Sequence, residues 1–116
     1  MTFGSYIRRQ REALREESKS FSLRQVAHRI GLEPAYLSKI ERCDVAPPSE
    51  AAIRSLAEDL GEDPDVLLAM AGKVSTDLQE IIRRRPELFA ELLRNLKAAP
   101  DGAVLKIVRE VRDGDW

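Results

Sequence analysis

The sequence predicts an all-α protein, and three observations carry that expectation. Apolar residues recur at the three-and-four spacing of a helix stripe along the 116-residue chain, whereas strand-type alternation is absent and β-branched residues are sparse. Helix-start residues (Ser22, Pro34, Asp63-Pro64, Ser75, Pro86) and helix-stop residues (Gly31, Gly61, Gly72) punctuate the pattern at short intervals. Apolar residues make up 43% of the chain, enough for a packed core, and the 34% charged residues mark a soluble surface.

The first helix is expected over about residues 2–17, with Phe3, Tyr6, Ile7 and Leu14 on one buried stripe and Arg and Glu on the other. The polar run Glu17-Ser18-Lys19-Ser20 breaks it. Ser22-Leu23-Arg24-Gln25 has the form of a capping box, in which Ser22 accepts from the amide three residues on and Gln25 reaches back. Val26, Ala27 and Ile30 line the inner face of this second helix, and Gly31 suits a left-handed stop. A third helix restarts at Glu33-Pro34, where the missing proline N–H costs nothing. Leu37 and Ile40 face inward, leaving Ala35, Tyr36, Ser38, Lys39 and Arg42 on or near the outer arc. Two short helices across a tight Gly-containing turn form a helix-turn-helix.

Pro47-Pro48-Ser49 is a hard break. A fourth helix is expected over residues 50–60, burying Ile53, Leu56, Ala57 and Leu60, and a fifth runs from Asp63-Pro64 to about Ala71. The remainder reads as three short amphipathic helices. Ser75 caps one carrying Leu78, Ile81 and Ile82; Pro86 starts another carrying Leu88, Phe89, Leu92, Leu93 and Leu96; and Val104, Leu105, Ile107, Val108 and Val111 follow the Pro100-Asp101-Gly102 turn. About 40 residues rarely fold alone, so this segment must pack on the first unit, on a partner chain, or on both. Two domains are expected, 1–72 and 73–116.

Charge is segregated. The formal total is −1, from 19 bases and 20 acids. Residues 1–46 hold nine Lys/Arg against six acids (+3), residues 47–72 one against six (−5), and residues 73–116 nine against eight (+1). The N-terminal segment can thus attract phosphate despite the overall acidity, although a solvated mixed-charge face would look the same.

Several function classes are disfavoured. One Cys excludes an internal disulfide, and one Cys with one His cannot build a Cys/His metal site, so no metal and no cofactor are expected. The chain lacks a Gly-rich phosphate loop and a Ser/His/Asp set, and it is expected not to be an enzyme. No apolar run approaches the roughly 20 residues of a membrane span. Met1-Thr2-Phe3-Gly4-Ser5 lacks the basic-then-apolar pattern of a signal peptide, so a cytoplasmic protein is expected.

Specific residues sharpen the expectation. Gly4-x-x-Ile7-Arg8-x-x-Arg11, Ser22-Leu23-Arg24-Gln25-Val26-Ala27, Gly31, Tyr36-Leu37-Ser38-Lys39-Ile40-Glu41-Arg42, Pro48-Ser49 and Leu56-Ala57-x-x-Leu60 occur in that order. Residues 4–68 thereby resemble the XRE family, the Cro and phage-repressor type of helix-turn-helix regulator. The resemblance implies a five-helix phage-repressor-like domain whose third helix enters the major groove of double-stranded DNA. On that reading Ala35, Tyr36 and Lys39 contact bases. Lys39 can donate to guanine O6 or N7, and the Ala35 methyl can meet a thymine methyl. Glu33 either accepts from a cytosine amino group or simply caps the helix. Phosphate contacts fall to Arg24 and Gln25 at the start of helix 2, with Arg42, Ser38, Arg8 and Arg9 at the flanks. The positions of Arg11 and Glu41 match a structural ion pair of the family.

Three departures stand out against the resemblance. Leu23 occupies a helix 2 position often held by Gln, which places one phosphate contact in doubt. Cys43 stands after helix 3 where Gly is usual; either Cys43 adopts φ > 0 at a cost of about 1 kcal/mol, or Asp44 takes the turn. The linker 17–21 looks slightly long.

The resemblance and the C-terminal stripe together imply a homodimeric sequence-specific regulator, most simply a repressor on a near-palindromic operator. Leu78, Ile82, Leu88, Phe89, Leu92, Leu93, Leu96, Val104 and Val108 would form the dimer contact. The alternative is an antitoxin-type or adaptor protein whose C-terminal helices bind a second protein. Cys43 reads as a structural or incidental thiol, His28 as solvated or phosphate-adjacent, and Arg83-Arg84-Arg85 as a helix-end cluster. Trp116 reads as docking the C-terminal tail.

Overall fold

The computed structural model describes residues 2–114. Those residues form eight α-helices and a 3-10 turn: α1 (Phe3–Glu17), the turn (Lys19–Phe21), α2 (Leu23–Ile30), α3 (Pro34–Glu41), α4 (Glu50–Leu60), α5 (Pro64–Met70), α6 (Thr76–Arg84), α7 (Pro86–Leu96) and α8 (Asp101–Asp113). They divide into two compact units between Ser75 and Thr76. The fold is all-α, with the helix-turn-helix at the N-terminus. Trp116 lies outside the described residues.

In the first unit the expected inner stripes converge on one core. Phe3 and Ile7 of α1, Val26 and Ala27 of α2, and Leu37 and Ile40 of α3 meet Ile53, Leu56, Ala57 and Leu60 of α4 and Leu67 and Leu68 of α5. Each large aliphatic side chain removed from water contributes about 1.5–3 kcal/mol, so these stripes hold α3 in place from several sides. Leu14, expected on the stripe of α1, is only half-buried and packs at the edge of the core. Tyr6 sits there too, and its hydroxyl donates to Glu62 Oε2 at 3.1 Å.

Start signals act as their chemistry requires. Ser22 Oγ accepts from Gln25 N at 3.3 Å and Ser49 Oγ from Ala52 N at 3.2 Å. The capping box expected at Ser22 is half formed, since no hydrogen bond from the Gln25 side chain back to Ser22 accompanies it. A complete box lies elsewhere: Thr2 and Ser5 exchange side-chain and backbone bonds at the start of α1.

The same turn closes four successive helices. After α2, α3, α4 and α5 a left-handed residue is followed by an amide that donates to the carbonyl five residues earlier, as Leu32 to Ala27, Asp44 to Lys39, Glu62 to Ala57 and Lys73 to Leu68, all at 2.8–2.9 Å. Glycine holds the left-handed position in three of them. Cys43 holds it after α3, with φ 63°, and is the one non-glycine residue of positive φ among the described residues. The sequence left Cys43 and Asp44 open for this role, and Cys43 takes it.

The longer linker is tied down by two arginines. Arg11 of α1 donates to the Phe21 carbonyl at 3.2 Å, and Arg29 of α2 to the Ser20 carbonyl at 2.6 Å. Arg29 also lies over the Phe21 ring, 5.1 Å from its centre. Each arginine uses its remaining nitrogens on a carboxylate of a third element, Glu41 for Arg11 and Asp59 for Arg29.

The second unit is different in kind. None of α6, α7 or α8 contains a buried residue. Ile82, Phe89, Leu92, Leu96 and Val104 are half-buried, whereas Leu88, Leu93 and Val111 are 65, 57 and 61% exposed.

Candidate nucleic-acid interface

The site begins with how α3 is held. Its inner face is Leu37, Ile40 and Glu41, all buried. Arg11 and Glu41 meet through two parallel bonds, Nε to Oε2 at 2.7 Å and Nη2 to Oε1 at 2.9 Å, with both side chains about 95% removed from water. The bond to Glu41 pushes the Arg11 pKa above its ordinary value, so the guanidinium stays charged. The pair fastens the last turn of α3 to α1.

Gly4 makes the second attachment. A Cβ at this position would overlap the carbonyl oxygen of Ile40, so α1 approaches the end of α3 more closely than any residue with a side chain allows. Sequence reading singled out Gly4 without a reason; the reason is this approach.

With one face fixed, the opposite face is open. Ala35, Tyr36 and Lys39 are exposed and share one side of α3, while Ser38 is half-buried at its edge. Eight helical residues span about 12 Å, comparable with the roughly 12 Å width of a B-DNA major groove. Lys39 has no partner among the described residues and presents a free ammonium. Glu33 is exposed at the N-cap of α3, but its side chain makes no capping hydrogen bond, contrary to the simpler expectation. Its carboxylate is one methylene longer than that of Asp63, which at the equivalent X-Pro start of α5 accepts from Asp65 N at 2.9 Å.

The flanking residues separate into free and engaged groups. Arg24 and Gln25, in the first turn of α2, are exposed, and their side chains have no partner among the described residues. Leu23, the departure from the family pattern, is half-buried against the core edge. Arg9 is likewise exposed and unpartnered among the described residues. Arg8 Nε donates to Glu12 Oε1 at 3.1 Å, and Arg42 Nε forms an ion pair with Asp44 Oδ2 at 3.1 Å. Arg8, Arg42 and Ser38, scattered in sequence, come together with Leu23 and the buried Arg11–Glu41 pair around one open concavity of about 260 Å³.

Sequence reading missed the partners of Arg29. Its Nε and Nη2 bond Asp59 at 2.7 and 3.0 Å, which raises the Arg29 pKa and removes this base from the free surface charge. Residues 30 apart carry no local pattern that would pair them. His28 is exposed on α2. Among the described residues no group of His, Cys, Asp and Glu can hold a metal ion, and no helix is long and apolar enough to cross a membrane.

A short helix pinned on its inner face, polar and open on its outer face, and preceded by a second helix across a glycine turn defines a helix-turn-helix DNA-binding domain. Residues 2–70 match the family model described as helix-turn-helix domain, and the chain belongs to that family of XRE-like regulators. Searches of curated proteins and of solved structures gave no match.

Proposed function

We propose that the protein is a sequence-specific transcriptional regulator that binds double-stranded DNA as a homodimer, most simply as a cytoplasmic repressor without enzymatic activity. The observation that carries the reading is the two-faced α3, with Leu37, Ile40 and Glu41 locked inward and Ala35, Tyr36 and Lys39 presented outward. Lys39 would donate to a guanine edge, Ala35 would meet a thymine methyl, and Tyr36 would lie beside them. Glu33 is the candidate acceptor from a cytosine amino group, now that it is free of a capping bond. Arg24 and Gln25 would hold phosphate at the α2 N-terminus, with Arg42, Ser38 and Arg8 in the neighbouring concavity.

In this reading residues 1–72 bind DNA and residues 73–116 dimerise. The support for dimerisation is the absence of any buried side chain in α6–α8 beside strongly exposed Leu88, Leu93 and Val108. Such faces ask for a partner, and a second copy places two copies of α3 on half-sites about one helical turn, roughly 34 Å, apart.

The test is selection of bound duplexes from random DNA, together with sedimentation of the full chain. A near-palindromic consensus bound by a dimer is expected. A truncation after Ser75, which keeps the Lys73 Nζ bond to the Pro48 carbonyl at 2.8 Å, should stay folded, become mostly monomeric and bind the consensus more weakly. No enriched sequence, or a monomer stabilised only by a different co-expressed protein, would favour the adaptor or antitoxin-type reading instead.

A further inference from the structure

The two exposed arginines that border the concavity, Arg8 of α1 and Arg42 at the end of α3, are not free. Arg42 is held by Asp44, and Arg8 by Glu12, each at 3.1 Å, and all four side chains are about half exposed. The side chains of Arg9, Arg24 and Lys39, by contrast, are exposed and have no partner among the described residues. A carboxylate that occupies a guanidinium offers it the same chemistry as a phosphate, two anionic oxygens in reach of planar N–H donors. Asp44 follows directly on the left-handed Cys43, and its amide bonds the Lys39 carbonyl at 2.9 Å. That turn fixes the backbone of Asp44 close to Arg42, so the competing carboxylate is presented by the fold and not by chance approach of a long side chain.

We infer that Asp44, and in the same way Glu12, is an internal competitor for DNA phosphate that holds Arg42 and Arg8 in reserve and lowers the affinity of the domain for duplex DNA of any sequence. The inference rests on the reading of the domain as DNA-binding. Neutral charge around the concavity lets base contacts from α3 contribute a larger share of the discrimination, because the phosphate contribution to binding is the sequence-independent one. To reach phosphate, Arg42 must leave Asp44, and Asp44 then takes up a cation from solution. The net release of counterions is therefore smaller by about one than the number of phosphates contacted.

The experiment is a double-mutant cycle on the full chain, with Asp44→Asn, Arg42→Ala and the pair, titrated against a random-sequence duplex and an enriched duplex over a range of salt. Asp44→Asn is isosteric and leaves the backbone bond to Lys39 in place. Exposed pairs of this kind couple weakly, so Asp44→Asn should tighten binding to both duplexes by about two- to five-fold at low salt. It should also steepen the slope of log K against log salt by up to about 0.9. In the Arg42→Ala background the same substitution should change neither quantity. Glu12→Gln against Arg8→Ala is the second arm and should behave alike.

An equal gain in both backgrounds would mean that Asp44 acts only through its long-range field, and no gain from Asp44→Asn in the parent, where Arg42 is present, would mean that it does not compete at all. Either result overturns the inference. A parent protein that binds no duplex at any salt overturns the DNA-binding reading itself, and this inference falls with it.

Discussion

Removing the Glu41 carboxylate should be among the most damaging single changes in the first unit. Glu41→Ala deletes two charge-assisted bonds, at 2.7 and 2.9 Å, and leaves Arg11 buried with only the Phe21 carbonyl at 3.2 Å. At about 1.5–3 kcal/mol for each bond to a charged group, the loss falls near the roughly 3–5 kcal/mol expected when one partner of a buried ion pair is removed. A unit of about 75 residues holds about 4–11 kcal/mol in all, so much of its stability goes. Urea unfolding followed by circular dichroism measures this directly. With m near about 1.5 kcal/mol/M, the midpoint should drop by about 2–3 M. Glu41→Gln, which keeps one acceptor oxygen, should fall between. Replacing both residues, Arg11→Met with Glu41→Leu, should restore most of the lost stability, because an apolar pair of similar volume carries no desolvation cost. A Glu41→Ala midpoint within about 0.5 M of the parent at the same m would show that water reaches the pair and that the burial argument is wrong.

The remaining predictions are simpler. Gly4→Ala should destabilise by about 1–3 kcal/mol or more, because its Cβ meets the rigid backbone of Ile40 and not a flexible side chain; thermal unfolding will show it. Lys39→Ala should weaken binding to the selected duplex by about 1–3 kcal/mol and relax preference at one base pair, read from a competition assay with single-base variants. Arg24→Ala should weaken selected and random duplexes alike and reduce the salt slope by about one. Tyr6 has its pKa raised above 10.0 by burial first and then by its hydrogen bond to, and the charge of, Glu62. A raised folded-state value means that its contribution is complete below the unfolded value and is lost as pH climbs past 10.0 through the folded value. Denaturation midpoints above that pH should therefore fall less in Tyr6→Phe than in the parent.

Local chemistry made the helices legible. Ser22, Pro34, Asp63-Pro64, Gly31, Gly61 and Gly72 each act through a bond or a φ angle that lies within a few residues, and α4 runs from Glu50 to Leu60 as its stripe required. The inward set of α3 was legible for the same reason, since Leu37 and Ile40 stand three apart. Azimuth and long-range pairing were not. Nothing near Arg29 points to Asp59, nor near Tyr6 to Glu62, because those contacts depend on how four helices pack. Glu33 shows a local limit: the X-Pro start was read correctly, but the side chain is too long to cap where the shorter Asp63 succeeds. Among phosphate candidates, sequence grouped Arg42 with Arg8 and Arg9 at the flanks, and only the placement of Asp44 and Glu12 shows that Arg42 and Arg8 are engaged while Arg9, among the described residues, is not.

The pair of carbonyls gripped by Arg11 and Arg29 belongs to adjacent residues, Phe21 and Ser20. Surface connections commonly accept an added or deleted residue at little cost. This one should not, since a one-residue shift would present each guanidinium with the wrong oxygen and pull the aromatic ring of Phe21 from beneath Arg29. In this chain a one-residue insertion between α1 and α2 should accordingly destabilise the first unit more than the same insertion between α3 and α4.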